Sequence, residues 1–200
     1  MIKNIVFDLG KVLVDFFPNK FVEENVEPQY RDKFLEIVFN SDEWKNLDRG
    51  TLEYEDAIKI LSSRLPQCEK AINKLFNDIV SSCLSPIKNN AELLPKLKEN
   101  YNLYIISNFH RVAFEEIYKE WEFFKLFDGK VVSAFCKLMK PEPEIYQLLF
   151  KTYSLNPNEC IFIDDVFENI EGAKNQGMEV IHLTNSELLK DKLIEKGIKL

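Results

Sequence analysis

The sequence predicts an α/β protein: a doubly wound parallel sheet, interrupted after its first strand by an all-helical insertion. Three features predict it. A short apolar strand, residues 4–8, comes almost at the start of the chain. Helical periodicity then runs without a strand from about Asn19 to Ser82, and after Ser85-Pro86 apolar strands alternate with helices. Such alternation gives a parallel sheet covered on both faces.

The first strand, Asn4-Ile5-Val6-Phe7, ends in Asp8, and Gly10 and Lys11 turn the chain back into Val12-Leu13-Val14. In the insertion, Phe34, Ile37 and Val38 share one helix face. Tyr54, Ala57, Ile58, Leu61 and Leu65 form another, and Ile72, Leu75, Phe76, Ile79 and Val80 a third. The break at Arg49-Gly50-Thr51 is expected to start a new helix, with Thr51 as its cap and Glu53, Glu55 and Asp56 in its acidic first turns. The later helices are expected at Ala91–Glu99, about Val112–Phe124, Glu144–Thr152, Asn169–Gln176 and the C-terminal end. The later strands fall at 103–106, 131–133, 160–163 and 180–183. The expected division is a Rossmann-like core of residues 1–16 and 86–200 and a helical unit of residues 17–85. No repeat or low-complexity segment interrupts it.

Composition narrows the function. Two hundred residues suffice for one full-sized core with an insertion. A net charge of −7 speaks against a general nucleic-acid binder, which needs a basic patch, but permits a locally positive pocket for a small anion. Cys68, Cys83, Cys136 and Cys160 form no CxxC pair and read as reduced thiols. No apolar stretch is long enough to span a membrane, and no secretory signal fits before Asp8. A cytoplasmic protein, a monomer or weak dimer acting on a small molecule, is expected.

Polar residues stop each strand. The first ends in Asp8, Ile105-Ile106 ends in Ser107-Asn108, Ile161-Phe162-Ile163 ends in Asp164-Asp165, and Lys140 lies between the last two in KPEPEIY. Parallel strands bring these ends to one edge, the address of ligand sites in open α/β sheets. Three clustered carboxylates repel one another unless a cation lies between them, and hard oxygen ligands without histidine or cysteine suit Mg²⁺. Ser107, the amides after it and Lys140 offer donors to a phosphate. Asp8 is then available as a nucleophile, which splits one hard displacement at phosphorus into two easier ones.

FDLGKVLVD, YIISN, KPEPEIY and FIDDVFENIEGAKNQGM resemble motifs one to four of the haloacid dehalogenase-like superfamily, over nearly the whole chain. The helical insertion resembles its C1-type cap. FDLG in place of the more usual aspartate-x-aspartate resembles a subgroup of small bacterial sugar-phosphate phosphatases, that of the alpha-glucose-1-phosphate phosphatase. The resemblance implies Asp8 as nucleophile and Mg²⁺ ligand. The carbonyl of Gly10 and the carboxylate of Asp164 would complete the protein ligands, with Asp165 close by. Ser107, Asn108 and Lys140 would hold the phosphate, Lys140 as part of the catalytic set, and Asn169 would orient the acidic pair.

The departure is Gly10. In most phosphatases of the superfamily this position is an aspartate that serves as general acid and then base, a function typically contributing roughly 10²–10⁴-fold. Three explanations compete: another group, such as His110, takes the role; the leaving oxygen is acidic enough to need no help; or turnover has been lost and binding kept. Lys11 either reaches the pocket entrance or extends into water. Phe16, Phe17, Trp44 and Arg49 could face the substrate, Arg49 being favoured because it sits in a glycine-bearing turn. The leading expectation is a Mg²⁺-dependent phosphatase of a small phosphorylated metabolite, a sugar phosphate first. The alternatives are a metal-free haloacid dehalogenase and a catalytically silent phosphate-binding regulatory module.

Overall fold

In the computed structural model all 200 residues are described except the side chains of residues 78, 79 and 81, so the place of Ile79 in its apolar row lies outside the described residues. Strands β1 (Asn4–Phe7), β4 (Asn102–Ser107), β5 (Gly129–Val132), β6 (Cys160–Asp164) and β7 (Glu179–His182) form one sheet in the order β5-β4-β1-β6-β7. Every pairing in it is parallel. The chain leaves β1 for β4 and β5 on one side, then crosses to β6 and β7 on the other. The strand order therefore reverses beside β1, and Asp8 follows directly.

All four residues of β1 are buried, as a strand covered on both faces requires. One face packs Ile5, Phe7, Ile105 and Ile163 against helices 94–98, 111–120 and 189–195. The other packs Val6, Ile106 and Phe162 against helices 143–153 and 167–175. The insertion has a core of its own, in which Phe34, Val38, Ala57, Leu61, Leu65, Ile72, Leu75 and Phe76 are buried. Ile37, Tyr54 and Ile58 pack at its margin.

Several boundaries differ from the sequence reading. Pro95 sits in the first turn of a helix at Leu94–Lys98, so the helix expected at Ala91–Glu99 is two short pieces, the other being Lys88–Ala91. The helix expected to reach Phe124 stops at Glu120, where Trp121 turns extended. Thr51 caps nothing: the next helix is Tyr54–Arg64, preceded by Glu53, and the Thr51 hydroxyl bonds back to Asn46. Gly50 instead ends helix Asp42–Arg49 in the left-handed conformation, φ 76°. An antiparallel pair, β2 (Val14–Phe16) with β3 (Leu84–Pro86), carries the chain into and out of the insertion and was not expected.

Candidate active site

The strand ends converge. Asp8 follows β1, its amide donating to the Ile163 carbonyl at 2.9 Å. The Lys140 ammonium lies between two carboxylates, 2.7 Å from Asp8 Oδ1 and 2.6 Å from Asp164 Oδ2. Ser107 Oγ donates to Asp8 Oδ1 at 2.8 Å. All four residues are buried. Asp164 accepts from the Val166 amide at 2.8 Å and from Asn169 Nδ2 at 3.1 Å on both oxygens, so Asn169 touches the acidic pair through Asp164 alone. The Asn108 amide group and the Lys140 backbone bond each other twice, at 3.0 and 2.9 Å, which fixes the Lys140 loop to the end of β4.

Burial sets the electrostatics. It pushes the Asp8 carboxyl up to about 6, opposed by Lys140 and reinforced by Asp164. Burial alone would lower the Lys140 ammonium, but Asp164 and Asp8 hold it above its ordinary value. Burial also raises Asp165, whose Oδ2 lies 3.5 Å from the exposed Lys11 Nζ. Lys11, with φ 53°, lines a separate surface cleft with Asp15 and Asp165.

One carboxylate oxygen each from Asp8, Asp164 and Asp165 lie within 4.8 Å of one another. One buried ammonium does not neutralise three carboxylates, and this all-oxygen set fits a hard divalent cation. A bridge between residues 10 and 14 uses the Leu9 carbonyl and the Lys11 amide, so the Gly10 carbonyl takes no part in it. A methyl group built on Gly10 would meet only Asp8 Oδ2, at 3.9 Å.

Beside these groups a cavity of about 160 Å³ opens between the insertion and the sheet. Gly10, Asn108, Asp48 and His110 lie on its wall with the apolar Val14, Phe16, Trp44, Val80, Leu84 and Ala113. Trp44 packs at 5.7 Å from the Phe16 ring and 4.3 Å from the His110 ring. His110 is buried, and burial pulls its pKa down to about 3. Burial thus favours the neutral imidazole over the protonated form that a proton donor needs. Its Nδ1 meets the Tyr54 hydroxyl at 3.3 Å, and its Nε2 lies 3.4 Å from Asp48 Oδ1 without an aligned hydrogen bond.

Of the aromatic residues considered from sequence, Phe16 and Trp44 line the cavity and Phe17 does not. Arg49 is engaged elsewhere, donating to both carboxylate oxygens of Glu142 at 2.5 and 3.2 Å. Asp48, which sequence reasoning missed, is the acidic residue that reaches the cavity. Burial pushes its carboxyl up to about 7, with the Asp8 charge adding and Lys140 opposing. Nothing local in the sequence separates it from Asp42 or Glu43 on the same helix.

A sesquiterpene phosphatase of Aspergillus oryzae is 32% identical over 92% of this chain and 91% of its own length. A D-ribitol-5-phosphate phosphatase of Bacteroides thetaiotaomicron is 26% identical over 92% of this chain and 93% of its own. The crystal structure of a point mutant of a haloacid dehalogenase family enzyme from the same bacterium, in complex with magnesium and inorganic phosphate, superposes with a TM-score of 0.73. It shares 22% identity, over 90% of this chain and 93% of that one. The profile of the haloacid dehalogenase-like hydrolases matches residues 4–183. This chain belongs to the haloacid dehalogenase-like hydrolase family.

Proposed function

We propose that the protein is a Mg²⁺-dependent phosphomonoesterase that works through an aspartyl-phosphate on Asp8. The observation that carries the reading is the buried Asp8 carboxylate, held on one oxygen by Ser107 and Lys140, inside a cluster of three acids. Asp8, the Gly10 carbonyl and Asp164 would hold the metal, with Asp165 beside them. A bound Mg²⁺ would offset the phosphate's negative charge as the carboxylate approaches. Ser107, Asn108 and Lys140 would bind and orient the phosphate oxygens, with Lys140 also keeping Asp8 ionised. The relatives named as phosphatases support the reaction class, and the relative crystallised with magnesium and phosphate supports the metal. The Asp164–Asp165 pair, close to Asp8, suits a bound cation better than it suits a metal-free dehalogenase.

Residues 17–85 act in this reading as a cap that closes over the substrate. The ester is a small phosphorylated metabolite. A sugar phosphate remains the expectation from the motif resemblance and from the ribitol-phosphate relative. The apolar wall of Val14, Phe16, Trp44, Val80 and Leu84 favours a second substrate, one with an apolar body, as does the sesquiterpene phosphatase relative.

The test is phosphate release from a panel of phosphorylated metabolites with Mg²⁺ or with EDTA, for wild type and Asp8→Asn. Turnover that needs Mg²⁺ and falls to background in a folded Asp8→Asn protein is expected. Activity that survives EDTA, or appreciable turnover by Asp8→Asn, would rule the mechanism out.

A further inference from the structure

We infer that Asp48, delivered by helix Asp42–Arg49 of the insertion, is the catalytic acid–base of this site and replaces the carboxylate that Gly10 lacks. The inference rests on the phosphatase reading above and adds to it the residue that moves the proton.

The placement is specific. Asp48 lines the same cavity as Gly10 and Asn108, so its carboxyl shares one space with the nucleophile loop and the end of β4. Its backbone and its neighbours anchor it there. The Asp48 carbonyl accepts from Ser133 Oγ, Arg49 pairs with Glu142, and Gly50 lies so close to Ala134 that a Cβ would fall 2.2 Å from the Ala134 carbonyl oxygen. Those contacts occupy the main chain and the adjacent side chains, and leave the Asp48 carboxylate over the cavity.

That carboxylate has little structural use. Among the described residues its side chain is paired only with His110, at 3.4 Å and without an aligned hydrogen bond. A mostly buried acid with so loose a partner costs free energy. Such a group is expected where chemistry needs it. The groups that face it are Asp8 and Lys140 from the sheet edge, His110 from the loop after β4, and Tyr54 behind His110. An acid must hold its proton before the first step, and the wall of this cavity places the Asp48 carboxyl where it can do so. His110, neutral and clamped between Trp44 and Tyr54, is a positioning residue for Asp48.

The proton balance closes over two steps. An Asp8 carboxylate oxygen attacks phosphorus, the bond from phosphorus to the ester oxygen breaks, and that oxygen leaves with the Asp48 proton as an alcohol. Water then attacks the phosphorus of the aspartyl-phosphate and gives one proton to the Asp48 carboxylate. The phosphorus–oxygen bond to Asp8 breaks, phosphate departs, and both acids return to their starting states.

The experiment compares a primary alkyl phosphate with aryl phosphates of graded leaving-group pKa, at saturating Mg²⁺. In wild type, kcat/KM is expected to depend weakly on leaving-group pKa; a steep dependence overturns the role of Asp48 without any variant. In Asp48→Asn the dependence becomes steep, with alkyl phosphate turnover reduced about 10²–10⁴-fold and 4-nitrophenyl phosphate turnover reduced far less. Residual aryl turnover reports that the sites are folded. Adding Gly10→Asp to Asp48→Asn restores alkyl turnover at least tenfold, since the Gly10 position has room for a side chain beside Asp8. Equal losses on both ester classes, or no loss on either, overturn the inference. Wild type that releases phosphate from neither ester overturns the phosphatase reading itself, which separates the two failures.

Discussion

A carboxyl confined in an apolar cavity gives up its proton late, and Asp48, pushed up to about 7 from an ordinary 3.8, carries that cost into stability. Between about pH 4 and pH 7 the unfolded chain releases this proton while the folded chain keeps it. The native state then binds more protons, so its stability falls as pH rises through that window. The contribution is fully present below pH 4 and gone above pH 7. Asp48→Asn removes the titration, so the variant should gain on wild type between pH 5 and pH 8, by at most a few kcal/mol. Melting both proteins at the two pH values in EDTA measures the double difference, and a difference that does not change with pH would mean that Asp48 ionises normally. Asp8, Ser107, Lys140 and Asp164 could be found from the sequence because each stops an apolar strand or sits in a motif between two, and the parallel sheet does the gathering. Asp48 could not. It lies on a surface-like helix, and its burial comes from residues far along the chain, Ser133 and His110.

One short helix ties the insertion to the sheet edge. Helix Asp42–Arg49 starts at Ser41, whose hydroxyl accepts from the Trp44 amide at 3.0 Å, and ends at Gly50 with φ 76°. The cap at its start and the glycine at its end are legible signals of a helix in this place. What they do not reveal is that the end abuts Ser133–Cys136, a short helix formed where the sequence reading had continued a strand to Ser133. The β2–β3 pair was hidden for a related reason: its two strands are three residues each, and nothing nearby marks the one as partner of the other. Gly50→Ala tests the joint. The left-handed backbone costs a non-glycine residue about 1–2 kcal/mol, and the added methyl would overlap Ala134, so the helix end must move. We expect a loss of at least about 2 kcal/mol in chemical denaturation, accompanied by reduced turnover of alkyl phosphates as Asp48 is displaced. Unchanged stability would show that the close approach to Ala134 is not fixed in solution.

At the scale of the molecule, the proposed reading puts the chemistry where the strand order reverses beside β1 and gives the insertion the choice of what reaches it. The sheet edge supplies charged groups: Asp8, Lys140 and Asp164. The roof supplies aromatic ones, since Phe16, Phe39 and Trp44 pack with ring centroids 4.8–5.7 Å apart. An ester bound across both would place its phosphate on the polar floor and its organic part against Trp44. The cavity, at about 160 Å³, is close to an apolar cavity of about 150 Å³ that takes a benzene molecule, so a ring or a short branched chain fills it. Burying each methylene is worth at most about 0.8 kcal/mol, or about fourfold in binding. If the second reading holds and the substrate has an apolar body, KM across a series of n-alkyl monophosphates should fall with each added carbon until the cavity is full and then level off, while a sugar phosphate of similar size binds more weakly. Trp44→Ala should flatten that trend and raise KM for the longer esters more than it lowers kcat, because Trp44 touches the body of the substrate and not its phosphate. Steady-state kinetics of wild type and Trp44→Ala over this series decide the matter. A KM that ignores chain length, or a sugar phosphate that outcompetes every alkyl ester, would return the cavity to the carbohydrate substrates that the motifs suggest.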